Sequence, residues 1–380
     1  MTTSLLIVFG ISMLGAWFGQ SVPSKKYNVL GKRQPNIIGV LIIMAVTILF
    51  SGLRNNIGDT VYYIHTYNLD TENGMAMPAF GDKAFLFQLF QYVLHQLNAE
   101  PSTFVMICSI ITLVPMIWLF YKYSADFSLS IFLLFSMGIY ATTLNGIRQY
   151  VSTGILLFGT KYLFSEKKID FWKYLLIVFI ASLIHSSAWM MIPLYFLCRR
   201  KAWSAPALVS VAVGVAGLIF VSMFLPSFLT ILDDTSYSVY ADGWFEEGGS
   251  SGGANILRVA FNVMPTILAA FFSKQVRQFG PVADILINIS LVHSAIYILA
   301  FYNWIFARFA FYTYAYVVLL MALVFVAVLR SGKYRFFALL LFAAYAVYFI
   351  IDARANRLNW YQSDFFEANN NMWFQFLYLN

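Results

Sequence analysis

Long apolar runs separated by short polar segments dominate this chain almost from end to end. A helix needs about 20 apolar residues to cross the hydrocarbon core of a bilayer. The stretch 84–98 is amphipathic and is predicted to be a surface or re-entrant helix rather than a crossing. The apolar runs predict an all-α polytopic integral membrane protein with about twelve spans and a range of ten to thirteen. These runs lie at about 3–22, 37–53, 102–121, 127–144, 147–164, 171–185, 186–198, 205–225, 255–272, 282–302, 305–329 and 336–351.

The polar segments between the runs are too short for a separate soluble domain, so we expect a single transmembrane domain over 1–380. Segments 54–83 and 226–254 are expected to be outer loops that form part of a site, and 353–380 an outward tail. The first run has no basic segment before it and no small-residue cleavage site, which favours a retained span. Gly15-x-x-x-Gly19 within it favours close helix packing.

Composition agrees with a lipid environment. Hydrophobic residues make up 61% of the chain and charged residues 11%, which is outside the range of water-soluble domains. Cys108 and Cys198 both lie inside apolar runs, where we expect small core residues rather than a disulfide or a metal pair. No cofactor and no metal are expected.

Basic residues segregate when the ends of the spans are assigned alternately to the two sides. With both termini outside, 17 of the 24 basic residues lie on the cytoplasmic side. The positive-inside rule favours this orientation, and the net charge of +7 needs no nucleic-acid partner. Seven basic residues remain outside, and arginines next to apolar spans need anionic partners. They are Arg54, Lys83, Arg148, Arg258, Arg308, Arg354 and Arg357.

The first outer loop begins with Arg54 at the end of the second predicted span. Gly58-Asp59 forms a turn there, and Tyr62 and Tyr63 follow directly. A guanidinium followed by a turn is suited to phosphate binding. The alternative is that Arg54 and Asp59 pair with each other and only tie down the loop.

A second arginine lies at the junction of the fourth and fifth predicted spans. Asn145-Gly146 is predicted to turn there, and Arg148 and Gln149 begin the next helix. Backbone N–H groups and an arginine at one helix start form an anion site. The alternative is that Arg148 extends to the outer lipid headgroups.

Two histidines lie in apolar surroundings. His185 lies where two short spans meet at the predicted outer face, and it can act as a base or a donor or be a hydrogen-bonded packing residue. His293 lies midway along its span and is interpreted as structural.

Arg308 lies in the predicted span 305–329, with Phe311 and Tyr312 on the same helix face. No acidic residue in this run can pair with it, so it should face a polar cavity or a bound anion. The acidic loop before this region is suited to a lid or an acceptor-binding segment, or is only a solvated loop. Its acids are Asp233, Asp234, Asp242, Glu246 and Glu247.

Several motifs of soluble enzymes are missing from the sequence, namely Walker A, the dinucleotide glycine fingerprint and H-E-x-x-H. Nucleotide hydrolysis and metalloprotease chemistry are therefore disfavoured. Apart from Asp352, the later spans also lack the acids of a proton-coupled pump.

Four motifs together resemble the EpsG-like exopolysaccharide polymerases, which are similar to the broader Wzy class. The family's glycine-threonine-aspartate pattern reads here Gly58-Asp59-Thr60. The motifs, in order, are Ser51-Gly-Leu-Arg-Asn-Asn-Ile-Gly-Asp-Thr with Tyr62-Tyr63, Gly146-Ile-Arg-Gln, Ser182-Leu-Ile-His-Ser-Ser and Ala307-Arg-Phe-Ala-Phe-Tyr.

The resemblance implies a polymerase of the bacterial cytoplasmic membrane that joins oligosaccharide units carried on undecaprenyl diphosphate, at the outer face. Such proteins serve biofilm or capsule formation and resemble the GT-C-like membrane glycosyltransferases. Expected partners are the lipid-linked oligosaccharide, membrane lipids, a flippase and chain-length-control proteins.

For the site, we expect Arg148 and Arg308 to hold the diphosphate, with Arg54 assisting. His185, slightly favoured, or Asp59 is the base. Other expected substrate contacts are Gln149, Tyr62, Tyr63, Trp304 and Tyr312. The alternatives are a lipid-linked oligosaccharide transporter, an O-antigen-ligase-like enzyme and, through His293, an O-acyltransferase.

Overall fold

The computed structural model describes residues 3–229, 253–355 and 361–363. In these ranges the regular elements are helical, apart from one isolated antiparallel bridge between Tyr27 and Arg33. The all-α prediction is confirmed there. The α-helices are α1 (Thr3–Ser21), α2 (Ile37–Gly52), α3 (Thr60–Asn73), α4 (Phe85–Gln96), α5 (Pro101–Tyr123), α6 (Phe127–Ser136), α7 (Ile139–Thr143), α8 (Ile147–Leu157), α9 (Thr160–Leu163), α10 (Asp170–Ser182), α11 (Met191–Cys198), α12 (Ala205–Leu229), α13 (Ile256–Phe271), α14 (Ser273–Val276), α15 (Pro281–Ala300), α16 (Tyr314–Arg330) and α17 (Arg335–Ala355).

Within the described part of the chain, four helices are long and apolar enough to cross a membrane. They are α1, α5, α15 and α17. Two bent helix pairs raise the number to six if each pair counts as one span. The chain therefore has the helices of a multi-pass membrane protein, while the twelve spans and the GT-C-like relationship stay predictions.

Three of the predicted spans are interrupted. The run 127–144 breaks between α6 and α7 at Gly138, whose φ is +72°. The run 147–164 divides into α8 and α9, and in the run 305–329 a 3₁₀ helix, Trp304–Tyr312, bends by 74° from α16. Apolar residues continue through all three breaks, so hydrophobicity alone did not reveal them.

The chain folds into two compact units, one drawn from Met1–Trp189 and Phe336–Asn380 and the other from Met190–Arg335. In the first unit, a Cβ added at Gly39 of α2 would lie 2.4 Å from the carbonyl oxygen of Gly15 and 3.0 Å from Cα of Gly19. The backbones of α1 and α2 are therefore in close contact, as the glycine spacing in α1 predicts.

The segment expected as the first outer loop contains helix α3, and the amphipathic stretch after it forms α4. Both pack against α5 through aromatic rings. The ring centroid of Phe104 in α5 lies 5.6 Å from that of Tyr67 in α3 and 5.8 Å from that of Phe87 in α4. Ile147, at the start of α8, belongs to the same hydrophobic cluster. This cluster is the support on which the candidate site of the first unit is built.

The second unit contains a buried polar network at the break before α16. His293 is fully buried; its Nδ1 lies 2.8 Å from Thr313 Oγ1, and its Nε2 lies 3.2 Å from Asn262 Oδ1. Thr313 is the residue between the 3₁₀ helix and α16. His293 is thus a hydrogen-bonded interior residue, as its position in the sequence predicts, and it fixes the bend.

Candidate functional site

Arg54 lies just beyond the end of α2 and is only 3% exposed. Its Nε donates to Thr60 Oγ1 at 2.9 Å, and its Nη1 donates to the Ser51 carbonyl and, at 2.9 Å, to Ser51 Oγ. Nη1 also donates to Ser109 Oγ of α5 at 3.3 Å. These bonds fix the guanidinium through Nε and Nη1, while Nη2 donates to none of the described residues.

The charge of Arg54 is buried, and its nearest opposite charge is on the same loop. Burial lowers the pKa of the Arg54 guanidinium, and the negative charge of Asp59 is the largest influence that opposes this shift. The hydrogen bonds of Arg54 go to Ser51, Thr60 and Ser109. Asp59 therefore stabilises Arg54 through its charge, and the simple pairing of these two residues is not what holds the loop.

Asp59 instead joins the first loop to the turn before α8. Its Oδ2 accepts a hydrogen bond from Ile147 N at 3.1 Å, and its own N–H donates to Asn145 Oδ1 at 3.1 Å. Gly58 makes the close approach possible, because a Cβ there would lie 2.7 Å from Asn145 Cβ. The Asp59 carboxylate thus lies at the amino end of α8, where the helix dipole and free N–H groups stabilise an anion.

Arg148 is the second residue of α8, as the Asn145-Gly146 turn predicts. Its side chain is half-buried, and its buried Nε has no hydrogen-bond partner among the described residues. Burial raises the pKa of the Tyr63 hydroxyl; the charge of Asp59 adds to this shift and that of Arg148 opposes it. Tyr63 therefore lies within the electrostatic reach of both charges. The structure brings Arg54, Asp59, Tyr63 and Arg148 into one cluster, called here the loop cluster.

Gln149 and Tyr62 differ in their access to a ligand. Gln149 is buried, with 4% of its surface exposed, and its carbonyl accepts a hydrogen bond from Thr153. Tyr62 is 65% exposed, and its ring lies edge-on to that of Tyr63 at 5.7 Å. Tyr62 can therefore meet a sugar ring directly, while Gln149 belongs to the interior of the unit.

His185 lies in the turn between α10 and the 3₁₀ helix Ser186–Met190, in the same unit as the loop cluster. Its side chain is half-buried, and its Nδ1 lies 2.7 Å from Ser187 Oγ. The residue before it, Ile184, packs in the hydrophobic cluster that also contains Ile147. The residues that precede His185 and Arg148 in the chain, Ile184 and Ile147, therefore pack in one hydrophobic cluster.

Arg308 and Tyr312 belong to the second unit. Arg308 lies in the 3₁₀ helix Trp304–Tyr312 and not, as predicted, one turn into a straight span. Its guanidinium lies over the Trp304 ring, 5.4 Å from the centroid. Tyr312 is 1% exposed, whereas Arg308 is half-buried. A 3₁₀ helix repeats every three residues, so the shared α-helical face expected for these two residues is wrong.

The acidic loop expected beside the site lies outside the described residues from 230 to 252. The helix before it, α12, ends at Leu229. After this range, Ala254 N donates to the carbonyl of Ala300 at 2.6 Å within the second unit.

Sequence reasoning did not find the residues that hold the loop cluster together. The sequence predicts Asn145 only as a turn residue, and it assigns no contact with Arg54 to Ser51, Thr60 or Ser109, although Ser51 and Thr60 lie in the first family motif. A pattern exists in retrospect, because Ser51 and Thr60 flank Arg54 in the polar loop. Ser109, in contrast, lies in a strongly apolar helix, and nothing in the sequence connects it to Arg54.

The sequence model of the EpsG family matches residues 37–363 of this chain. No curated protein and no solved structure matches this chain. The matched range contains α2, the whole loop cluster, His185 and Arg308, so it covers both units.

We predict that Gly58→Ala separates the first loop from the turn before α8, because the added Cβ would collide with Asn145. The backbone amide of Ile147 would then lose the Asp59 carboxylate and exchange with deuterium about tenfold faster or more. Gly31→Ala is the matched control, since its φ of +66° resembles the +62° of Gly58 but open space surrounds it. Equal exchange at Ile147 in both variants would show that the contact does not hold the loop.

Proposed function

The chain belongs to the EpsG family, and from this premise we propose that it is an exopolysaccharide polymerase of the bacterial cytoplasmic membrane. Its substrates are oligosaccharide repeat units linked to undecaprenyl diphosphate at the outer face. The observation that carries the proposal is the loop cluster, in which two arginines that keep unused donors lie around one carboxylate-capped helix start.

The loop cluster suits a diphosphate by charge and by geometry. Arg54 Nη2 and Arg148 Nε are N–H donors not used by the described residues. Charge-assisted hydrogen bonds from guanidinium to phosphate oxygens are strong and directional. The cluster holds two cations and one anion, so it carries a net positive charge that favours an anionic ligand such as a diphosphate.

The proposed reaction forms a bond between an acceptor hydroxyl oxygen and the anomeric carbon of the donor sugar. The bond between that carbon and the diphosphate oxygen breaks, and undecaprenyl diphosphate leaves with the electron pair. Fixed guanidinium groups stabilise the negative charge that develops on the leaving group. A base removes the proton of the acceptor hydroxyl. No nucleotide is consumed, because the lipid-linked bond supplies the energy.

His185 is the better candidate for the base. Asp59 Oδ2 already accepts the Ile147 N–H, so proton uptake there would weaken the contact that holds the cluster together. His185 is half-buried and is oriented by Ser187 at Nδ1. Histidine is the side chain that most often acts as a general base in enzymes.

Arg308, in the second unit, is proposed to be a phosphate ligand. Its 3₁₀ helix is fixed at one end by the Asn303 side chain, which accepts from Ile305 N at 3.0 Å. At the other end Thr313 is held by His293. Trp304, over which Arg308 lies, offers a ring that can stack on a sugar face. Tyr312 is buried, and its proposed role is to support this helix.

A transporter of lipid-linked oligosaccharides is the second candidate. The second unit supports it, because its two bent helix pairs, with angles of 84° and 74°, resemble the discontinuous helices that form transporter sites. An O-antigen-ligase-like enzyme shares the polymerase chemistry and differs only in the acceptor. The following experiment separates the polymerase from the transporter.

We expect the purified protein in liposomes to convert undecaprenyl-diphosphate-linked repeat units, without nucleotide, into a ladder of longer glycans on a gel. Arg148→Ala should lower the rate about 100-fold or more, the size of effect seen when a donor to a developing charge is removed. Lys83→Ala removes an exposed cation of the same unit and should leave the ladder unchanged. Labelled lipid-linked units that only move between leaflets, with no ladder, would make the transporter the function.

We expect His185→Gln to reduce turnover about 100-fold or more, as loss of a general base does, while binding of the lipid-linked donor is retained. Asp59→Asn keeps an oxygen for the Ile147 N–H but removes the negative charge that compensates Arg54. It should therefore lower turnover about tenfold, which is less than the effect of His185→Gln. Both rates come from the same liposome assay. Near-normal turnover of the His185 variant, with a severe defect at Asp59, would assign the base role to Asp59.

A further inference from the structure

A short C-terminal segment, Tyr361–Ser363, packs on the end of α2 and on the loop that carries Arg54. Asn55 N donates to the carbonyl of Gln362 at 3.0 Å, and Gln362 N donates to Asn56 Oδ1 at 2.9 Å. The two stretches, which are about 300 residues apart in the chain, therefore exchange hydrogen bonds in both directions.

Tyr361 packs directly on the end of α2. Its ring stacks on Phe50 with centroids 4.2 Å apart and an angle of 15° between the planes. Its hydroxyl donates to the Phe50 carbonyl at 3.0 Å. Burial raises the pKa of Tyr361 to about 12, so this hydroxyl keeps its proton and remains a donor at physiological pH. Ser363 beside it is 2% exposed.

Phe50 and Ser51 are neighbours at the carboxyl end of α2. The last carbonyls of a helix lack partners within the helix and need donors from elsewhere. Tyr361 supplies the donor for Phe50, and Arg54 supplies the donor for Ser51. Tyr361 and Arg54 thus cap two successive carbonyls at the end of α2. The hydrogen bond from Tyr361 to Phe50 therefore fixes the backbone next to the Ser51 carbonyl that Arg54 binds.

We infer that Tyr361–Ser363 is a positioning segment for Arg54, which holds the guanidinium in the orientation that presents Nη2 to the substrate diphosphate. This inference rests on the proposed function for the role of Arg54 as a diphosphate ligand. The positioning itself rests only on contacts within the first unit.

The segment contacts the Arg54 loop and not the reacting atoms. Its loss should therefore weaken binding of the lipid-linked sugar donor more than it slows the glycosyl-transfer step. Tyr361→Ala removes both the stacking and the hydroxyl. We expect its KM for the lipid-linked donor to rise about tenfold, which corresponds to about 1.4 kcal/mol, with kcat within about threefold of wild type. Tyr361→Phe keeps the stacking and should raise KM by about twofold to threefold only.

A second measurement on the same full-length variants does not depend on turnover. Phenylglyoxal modifies accessible arginines, and mass spectrometry measures the modified fraction at Arg54. We expect this fraction to rise several-fold in Tyr361→Ala and not in Tyr27→Ala, which removes a tyrosine that is 61% exposed elsewhere in the same unit. Arg277, paired with Asp284 at 2.8 Å, is the internal reference, because general unfolding would expose both arginines.

The outcomes separate the two proposals. Unchanged modification of Arg54 in Tyr361→Ala overturns the positioning role, whatever the turnover. Greater modification of Arg54 with an unchanged KM also overturns it and leaves the polymerase proposal intact. If the wild type makes no polymer but Arg54 is still modified more in Tyr361→Ala than in the wild type, the positioning role is supported and the proposed function is rejected. Equal gains at Arg54 and Arg277 would show only loss of folding in Tyr361→Ala, and Tyr361→Phe then decides by the same two measurements.

Discussion

The hydrogen bond from Ile147 N to the Asp59 carboxylate is the contact on which the first unit's site depends. It joins the loop after α2 to the first turn of α8, in which Arg148 follows Ile147, and the same carboxylate acts through its charge on Arg54. Without that carboxylate, the buried Arg54 would lack the negative charge that compensates its own. The carboxylate therefore permits a cationic site that neither loop could form alone.

The same contact explains why the arginines suit a transferable anion rather than a permanent partner. Arg54 donates part of its hydrogen bonds to serine and threonine hydroxyls and to one helix carbonyl. Arg148 has a buried Nε that forms no hydrogen bond with the described residues. A site whose cations were fully paired would have no donors left for a substrate. Here the contacts orient the Arg54 guanidinium and leave donors that the described residues do not use, as the proposed diphosphate site requires.

Much of this organisation could be predicted from the sequence. The apolar runs identified an all-α membrane protein, and Asn145-Gly146 correctly placed Arg148 at a helix start. Helix breaks at Gly138 and Thr313 escaped prediction because apolar residues continue through them. The contact between Tyr361 and Phe50 escaped it for another reason, since nothing local in either segment signals a partner 311 residues away. The contacts that the sequence does not predict are long-range hydrogen bonds, which leave no trace in the hydrophobic periodicity.

Selective binding of the leaving lipid tests the central claim most directly, since it requires no turnover. Undecaprenyl diphosphate and undecaprenyl monophosphate would be titrated into the purified protein in nanodiscs of zwitterionic lipid. The loop cluster predicts that the wild type prefers the diphosphate about tenfold or more, a difference of about 1.4 kcal/mol, and that Arg148→Ala loses this preference. An equal preference for the diphosphate in Arg148→Ala and in the wild type would contradict the claim that this cluster binds it.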